Sequence, residues 1–296
     1  MKIPALFALM ALACSTAPAQ DNKKKKAKKE PPPFAWVNEV KWDAPRGVRH
    51  ETFKSPSMGV DVGYCIYLPE EYGEKSNLER EYPVVYHLHG GRPGSEWKSV
   101  RLATFVDEAI RSGQIEPKIY VFPNGGPMSW YNYPKLGDKA YGEDVFVKEL
   151  IPHIDEQYRV STRHIEGFSQ GGRGTTRIML KYPELFKTAA PGGSGYEPEK
   201  RVQENDGAES ATVVFAKGNN TWDLADEYAK RDPLPTLPVM IWVGTKCFNY
   251  EFNLKYSENL KKLGIPHETL IAEGVDHSAM RFYEKRGLEL MKFHER

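Results

Sequence analysis

A five-residue motif, GFSQG at residues 167–171, constrains the fold of this chain more than any other feature. It has the pattern Gly-x-Ser-x-Gly and comes directly after the short run RHIE at residues 163–166. A strand that turns sharply into a helix at such a motif pushes the serine hydroxyl out of the sheet. The glycines are needed because a β-carbon would clash in so tight a turn. The motif therefore predicts that Ser169 is a nucleophile presented at a strand–helix junction.

Buried strands and helices alternate on both sides of this motif. Apolar runs typical of buried parallel strands lie at residues 83–91, 119–122, 186–190 and 239–244. Helical patterns lie at residues 100–112, 142–158, 175–181, 222–230, 252–263 and 281–295. Residues 36–68 read as β and are expected to form antiparallel strands at one edge of the sheet. The alternation predicts an α/β fold, with a mostly parallel central sheet and helices on both faces.

Two further motifs add catalytic chemistry in a consistent chain order. HGG at residues 89–91 ends a buried strand, and its backbone N–H groups suit a loop that faces a substrate oxygen. His277 lies in the loop GVDHS at residues 274–278, after a strand-like run. A histidine has a pKa close to neutral pH, so it can take a proton from Ser169 and return it within one turnover. We therefore predict that Ser169 is the nucleophile and His277 the general base.

The N-terminal segment has the composition of a secretory signal. Lys2, an apolar run at residues 3–13 and APA at residues 17–19 predict a signal peptide over residues 1–19. The apolar run is too short to span a bilayer, and lipidation at Cys14 is the alternative to cleavage after Ala19. Residues 20–35 are lysine-rich and then proline-rich, which predicts a flexible linker before a domain at residues 36–296. We expect a secreted or periplasmic protein.

Composition limits the partners that need to be considered. The net charge of +1 gives no argument for binding nucleic acid, and no metal-ligand cluster of Cys and His is visible. No cofactor, metal ion or transmembrane helix is expected. Two cysteines, Cys65 and Cys247, remain after the signal peptide, and their spacing leaves a disulfide undecided.

With these motifs in view, the chain resembles the putative-esterase family of α/β-hydrolases, which includes feruloyl and acetylxylan esterases, S-formylglutathione hydrolases and enterochelin esterases. The resemblance covers about residues 51–293. It rests on these runs: YPVVYHLHGG at 82–91, ELIPHID at 149–155, GFSQGG at 167–172, MLKYPELF at 179–186, GIPHE at 264–268 and GVDH at 274–277. The resemblance implies an α/β-hydrolase fold and serine-hydrolase chemistry, and it is less specific about the substrate.

The resemblance also implies roles for backbone and loop residues. The backbone N–H of Gln170 and that of Gly91, or of Arg92, are expected to form the oxyanion hole. Trp130 and Tyr131 lie in a loop that borders the acyl pocket in the family. If exposed, these two aromatic rings would stack on an aromatic acid or a sugar face. The alternative is that they anchor the loop by packing inward.

One position departs from the family pattern. The family usually has its triad acid in a Gly-x-x-Asp motif after the strand that ends here at Gly244, and this chain has Cys247 at that position. We favour Glu251 as the acid, reaching back from the next helix, with Asp223 as a second candidate. Asp276 adjoins His277 but is expected to point away from it.

These observations predict a secreted serine carboxylic-ester hydrolase. Its substrate would be an acylated carbohydrate or another ester, from which a feruloyl or acetyl group is removed through an acyl-serine intermediate. The alternative is a non-catalytic carbohydrate-binding relative, because Cys247 replaces the expected acid. Acyl transfer to a sugar hydroxyl and polyester hydrolysis use the same chemistry, since pocket shape decides the acceptor.

Overall fold

The computed structural model of the chain describes residues 33–39, 43–133, 141–204, 208–209 and 218–296. The predicted signal peptide and most of the predicted linker lie outside these residues. Within them an eight-stranded sheet forms from β1 (Val48–Lys54), β2 (Asp61–Tyr67), β3 (Tyr82–Leu88), β4 (Ile119–Pro123), β5 (Val160–Phe168), β6 (Thr188–Gly192), β7 (Met240–Gly244) and β8 (Glu268–Ala272).

The strand order is β1-β2-β4-β3-β5-β6-β7-β8. The strands β1 and β2 pair antiparallel, β2 also pairs antiparallel with β4, and all other neighbours are parallel. The prediction of a mostly parallel sheet with an antiparallel edge is therefore confirmed. The strands β3, β4 and β6 and the carboxyl half of β5 are almost fully buried, as expected for parallel strands covered on both faces.

Helices cover both faces of the sheet. They are α1 (Ala103–Arg111), α2 (Gly142–Asp144), α3 (Ile151–Gln157), α4 (Gln170–Lys181), α5 (Tyr196–Glu204), α6 (Thr221–Tyr228), α7 (Tyr250–Lys262) and α8 (Ala279–Phe293). A π-helical stretch, Val145–Leu150, joins α2 to α3. The core under α1 and α8 contains Val106 and Phe282, and the core on the other face contains Ile178 of α4 and Tyr256 of α7. None of the helices in the described part of the chain is long and apolar enough to cross a membrane.

The parallel strands deliver the predicted site to one edge of the sheet. The HGG loop follows the carboxyl end of β3, and Ser169 follows that of β5. Cys247 comes after β7, and His277 after β8. Carboxyl ends of parallel strands meet at the same edge, which is where ligands bind in open α/β sheets. These four loops therefore lie together at the carboxyl edge of the sheet.

Candidate active site

Ser169 lies in a strained turn between β5 and α4. Its backbone has φ 59° and ψ −113°, a left-handed conformation that is unusual for a residue with a side chain. A β-carbon on Gly171 would lie 1.8 Å from the carbonyl oxygen of Leu88, and one on Gly167 would lie 2.6 Å from that of Gly171. Glycine is therefore required on both sides of the serine. The turn has the geometry of a nucleophile elbow.

The elbow and the loop after β8 bring the predicted nucleophile and base together. Ser169 Oγ lies 2.9 Å from Nε2 of His277. The imidazole packs between two aromatic rings, with centroids 4.7 Å away at Phe168 and 3.9 Å away at Phe248. Burial lowers the pKa of His277, and the charge of Asp276 opposes this shift. The imidazole is therefore neutral near pH 7 and can accept the serine proton.

The other nitrogen of this imidazole contacts a thiol. The Nδ1 atom of His277 lies 3.0 Å from Sγ of Cys247, which is itself 4% exposed. The backbone N–H of Asn249 also donates to this sulfur, over 3.4 Å. Both Cys65 and Cys247 are free and buried, so they form no disulfide with each other. The position that the family fills with a carboxylate is filled here by Cys247.

The prediction that Glu251 supplies the acid is wrong. Glu251 is exposed in the first turn of α7, and the Nδ1 hydrogen bond goes to Cys247 instead. Asp223 is also engaged elsewhere, because its Oδ2 accepts hydrogen bonds from Asn220 and from the backbone of Gly218. Both residues are near Cys247 or His277 in the sequence-based prediction, but in the fold neither side chain contacts Nδ1 of His277.

Asp276 does point away from Nδ1, as expected, yet it stays close enough to act by its charge. Its Oδ2 pairs with Nη1 of Arg281 at 3.1 Å. Its Oδ1 is buried and has no hydrogen-bond partner. Burial raises the pKa of Cys247 and the charge of Asp276 adds to this, whereas at His277 the same charge opposes the lowering of the pKa by burial. Asp276 is thus an electrostatic neighbour of the site.

The HGG loop lies directly against the nucleophile. A β-carbon on Gly90 would be 3.2 Å from Cβ of Ser169, and Gly91 adopts φ 69°. His89 holds this loop in place: its Nδ1 donates to the carbonyl of Gly90, and its Nε2 accepts from the backbone N–H of Gly125. Burial lowers the pKa of His89 to about 3, so the ring stays neutral in this double role.

Gln170 is well placed to offer its backbone N–H at the nucleophile. It is the first residue of α4, and the first N–H groups of a helix have no partner within that helix. Two hydrogen bonds hold the Gln170 side chain. Arg173 donates to its Oε1 over 2.6 Å, and its Nε2 donates to the carbonyl of Ser129. This arrangement fits the predicted oxyanion role for Gln170 and Gly91, which remains a proposal.

Trp130 and Tyr131 do not form an exposed platform for substrate; the structure shows the alternative, in which the two rings pack inward. Both are fully buried, and Trp130 has φ 73°. Nε1 of Trp130 donates to the carbonyl of His89 over 3.0 Å, while the guanidinium of Arg177 lies 3.8 Å from the centroid of the Tyr131 ring. Arg177 is itself buried and paired with Glu143. The two rings therefore support the HGG loop from inside.

Phe248 is the aromatic residue at the site that sequence analysis missed. It is 74% exposed, more than any other large hydrophobic residue in the described part of the chain. It directly follows Cys247, and its ring lies on the ring of His277. An aromatic residue in the short loop between β7 and α7 was the available signal. Phe248 therefore borders the Ser169–His277 pair on its solvent side.

Comparisons with known proteins place the chain among esterases. A family model described as "Putative esterase" matches residues 55–264. The chain is 29% identical over 259 residues to an endo-1,4-beta-xylanase/feruloyl esterase of Xylanibacter ruminicola, covering 83% of this chain and 31% of that protein. It is also 29% identical over 145 residues to Esterase MT1326 of Mycobacterium tuberculosis, covering 47% of this chain and 30% of that protein. The chain thus spans less than a third of the length of either curated relative.

A solved structure of an esterase has a similar fold. The chain matches a ferulic acid esterase with a TM-score of 0.68 and 21% identity, covering 83% of this chain and 96% of that one. At this level of identity the likeness concerns the fold alone. Together with the strand order, it confirms the predicted α/β-hydrolase fold.

Proposed function

The chain belongs to the putative-esterase family, and on that premise we propose that it removes feruloyl or acetyl groups from polysaccharide through an acyl-serine intermediate. The family match and the likeness to esterases support a carboxylic-ester hydrolase. One observation carries the mechanism: Ser169 Oγ lies 2.9 Å from Nε2 of His277, a half-buried imidazole whose pKa is lowered by burial.

Acylation follows from this contact. Ser169 Oγ attacks the carbonyl carbon of the ester, its proton moves to Nε2 of His277, and the carbonyl electron pair moves to oxygen. The backbone N–H groups of Gln170 and Gly91 stabilise the resulting oxyanion. Collapse of the tetrahedral intermediate breaks the bond to the alcohol oxygen, which takes the proton from Nε2. The acyl group is left on Ser169.

Deacylation repeats these steps with water. His277 takes a proton from the water as it attacks the acyl carbon, and the second tetrahedral intermediate expels Oγ. The serine regains its proton from Nε2, and the free acid leaves. No cofactor or metal ion is needed to balance either half of the reaction.

Phe248 and the named relative support a hydroxycinnamoyl acyl group such as feruloyl. A ferulate ring is planar and aromatic, so it can stack on an exposed aromatic side chain that borders Ser169. Phe248 is 74% exposed and contacts the catalytic histidine. The curated protein covering 83% of this chain is named as a feruloyl esterase. Acetyl removal uses the same steps but gains little from such a ring.

Replacing Phe248 with alanine tests this assignment. We expect KM for methyl ferulate to rise about tenfold, which corresponds to about 1.4 kcal/mol of lost stacking. The KM for p-nitrophenyl acetate, whose acyl group has no ring, should change less than twofold. Steady-state kinetics on both esters measure the difference. Leu78→Ala is the matched control, because Leu78 is another exposed hydrophobic residue, 53% exposed and outside the site. Equal losses on both esters would contradict a ferulate-stacking role.

The absence of a carboxylate at Nδ1 favours a second function, non-catalytic binding of acylated carbohydrate. Here Cys247 occupies the position at which a carboxylate normally orients the histidine. This alternative predicts that feruloylated oligosaccharides bind, as measured by calorimetry, without release of ferulic acid. Release of free acid in the same incubation would exclude it.

Export of the protein is proposed from residues that the structure does not describe. The signal peptide at 1–19 and the linker at 20–35 rest on composition, and the start of the domain at residue 36 follows from where that linker ends. Expression of the full chain in a Gram-negative host, followed by intact-mass analysis, should give a mature chain that begins at Gln20. A lipid-modified chain that begins at Cys14 would replace secretion with membrane anchoring.

A further inference from the structure

The backbone fixes the thiol of Cys247 at the histidine. The loop after β7 is tied to the loop that carries His277, because the N–H of Lys246 donates to the carbonyl of Val275 over 2.9 Å. Cys247 then closes a tight turn, in which its N–H donates to the carbonyl of Gly244 over 3.0 Å. The contact between Sγ and Nδ1 is therefore set by two packed loops.

We propose that Cys247 is the third member of a Ser169–His277–Cys247 triad, in which its sulfur accepts the Nδ1 hydrogen of His277. Cys247 acts as a positioning residue, and Asp276 supplies the negative charge that a triad carboxylate would otherwise bring. This inference rests on the proposed esterase function and assigns the part of its machinery that sequence analysis left open. It also makes the loss of the acid compatible with turnover.

The direction of the hydrogen bond decides whether the histidine is a base. If Nδ1 carries the hydrogen and donates to Sγ, then Nε2 keeps its lone pair and accepts the proton of Ser169. If the thiol donated to Nδ1, then Nε2 would carry the hydrogen and could accept nothing. The N–H of Asn249 points at the same sulfur, over 3.4 Å. The backbone thus directs one donor at this sulfur, and in the proposed triad the Nδ1 hydrogen of His277 is the second.

The thiol remains protonated throughout. Burial raises the pKa of Cys247, and the charge of Asp276 raises it further. A thiolate–imidazolium pair would leave no lone pair on Nε2, so a neutral thiol is the form that supports catalysis. During the attack the Ser169 O–H bond breaks, an N–H bond forms at Nε2, and the sulfur neither gains nor loses a proton.

Asp276 compensates for the missing charge. Its carboxylate points away from Nδ1, yet its charge opposes the lowering of the His277 pKa by burial. Its Oδ2 pairs with Nη1 of Arg281. The groups with titratable or charged side chains that the structure places around His277 are Ser169, Cys247 and Asp276, with Arg281 behind the last. Asp276 is thus the source of negative charge for the imidazolium that forms in the transition state.

Three substitutions at one position test the proposal in the whole chain. Cys247→Ser keeps an acceptor and should retain kcat within a few-fold, whereas Cys247→Val keeps a similar volume without one and should lower kcat at least about tenfold. Cys247→Asp should raise kcat/KM about tenfold or more and move the acid limb of its pH profile upward, because a carboxylate at Nδ1 raises the pKa of His277. Cys65→Val, at the other buried free cysteine, is the matched control. It should leave kcat and kcat/KM within twofold of the wild type and the acid limb of the pH profile in place.

A direct measurement separates this proposal from the esterase function. Nitrogen-15 NMR of labelled wild-type protein reports which ring nitrogen of His277 carries the hydrogen, whether or not the protein turns over an ester. Hydrogen on Nδ1 supports the triad, even in a protein without turnover, where only the esterase function would fall. Hydrogen on Nε2 overturns the triad. So would a Cys247→Val variant with the kcat of the wild type, or a Cys247→Asp variant whose acid limb stays in place.

Discussion

Replacing Ser169 with alanine is expected to lower ester turnover by about 10⁴- to 10⁶-fold, because the variant lacks the hydroxyl that contacts Nε2 of His277 and would form the acyl intermediate. The remaining rate would come from the oxyanion donors and from binding alone. The variant should fold normally, since alanine fills the same strained turn and only one hydroxyl, bonded to Nε2 of His277, is lost. Release of p-nitrophenol from p-nitrophenyl acetate, with the Tm measured in parallel, checks both expectations.

Two features sharpen this experiment. A fluorophosphonate probe should label the wild type at Ser169 and leave Ser169→Ala unlabelled, which reports the nucleophile without any assumption about the substrate. Ser161→Ala is the control on the same strand, because Ser161 is exposed near the other end of β5. Turnover by Ser169→Ala that equals the wild-type rate would remove the acyl-serine mechanism and every role derived from it.

The parts of the site that local backbone chemistry dictates were predictable from the sequence. The elbow at Ser169 requires glycine at fixed offsets, and the structure shows the contacts that impose them, such as the 1.8 Å approach at Gly171. The pairing of Ser169 with His277 follows from chain order, because parallel strands place their carboxyl ends at one edge. The helix after the elbow begins at Gln170, five residues earlier than its apolar pattern indicated. Polar and glycine residues at a helix start carry no hydrophobic period, so pattern analysis shortens such helices.

The parts that depend on packing between distant segments were not predictable. Trp130 and Tyr131 are buried because Arg177, about 50 residues later, lies against them and pairs with Glu143. No local pattern encodes such a contact. From the sequence, Cys247 indicated only that the expected acid is replaced by a thiol. The 3.0 Å contact between its sulfur and Nδ1 of His277 depends on how two loops pack. The exposure of Phe248 is likewise a property of the folded loop.

A buried network beneath the elbow sets the second large expectation. Glu166, three residues before the nucleophile on β5, is fully buried. Its Oε1 accepts from Nδ1 of His87 over 2.6 Å and from the hydroxyl of Tyr283. Its Oε2 lies 3.3 Å from Nε2 of His294. Three donors, one from β3 and two from α8 and the residue that follows it, thus converge on one carboxylate of β5.

Glu166→Gln is therefore expected to lower the free energy of unfolding by about 3–5 kcal/mol, because an amide N–H₂ would face groups that are themselves donors. Urea denaturation at pH 7 measures the change. Glu268→Gln is the matched control: Glu268 pairs with Arg296 at the surface, and its loss should cost at most about 1 kcal/mol. Equal stabilities of the two variants would contradict the role of the network.

The pH dependence gives this prediction a second readout. Burial alone would raise the pKa of Glu166, but the hydrogen bonds from His294 and His87 outweigh it and lower the pKa to about 2. A carboxyl group whose folded pKa lies below its unfolded pKa of about 4.3 stabilises the fold above that value, and this stabilisation is lost as the pH falls toward the folded pKa. The difference in unfolding free energy between the wild type and Glu166→Gln should therefore be constant between about pH 6 and 8 and shrink below about pH 4.3. A difference that grows as the pH falls would mean that Glu166 takes up a proton on folding, and it would contradict the buried carboxylate.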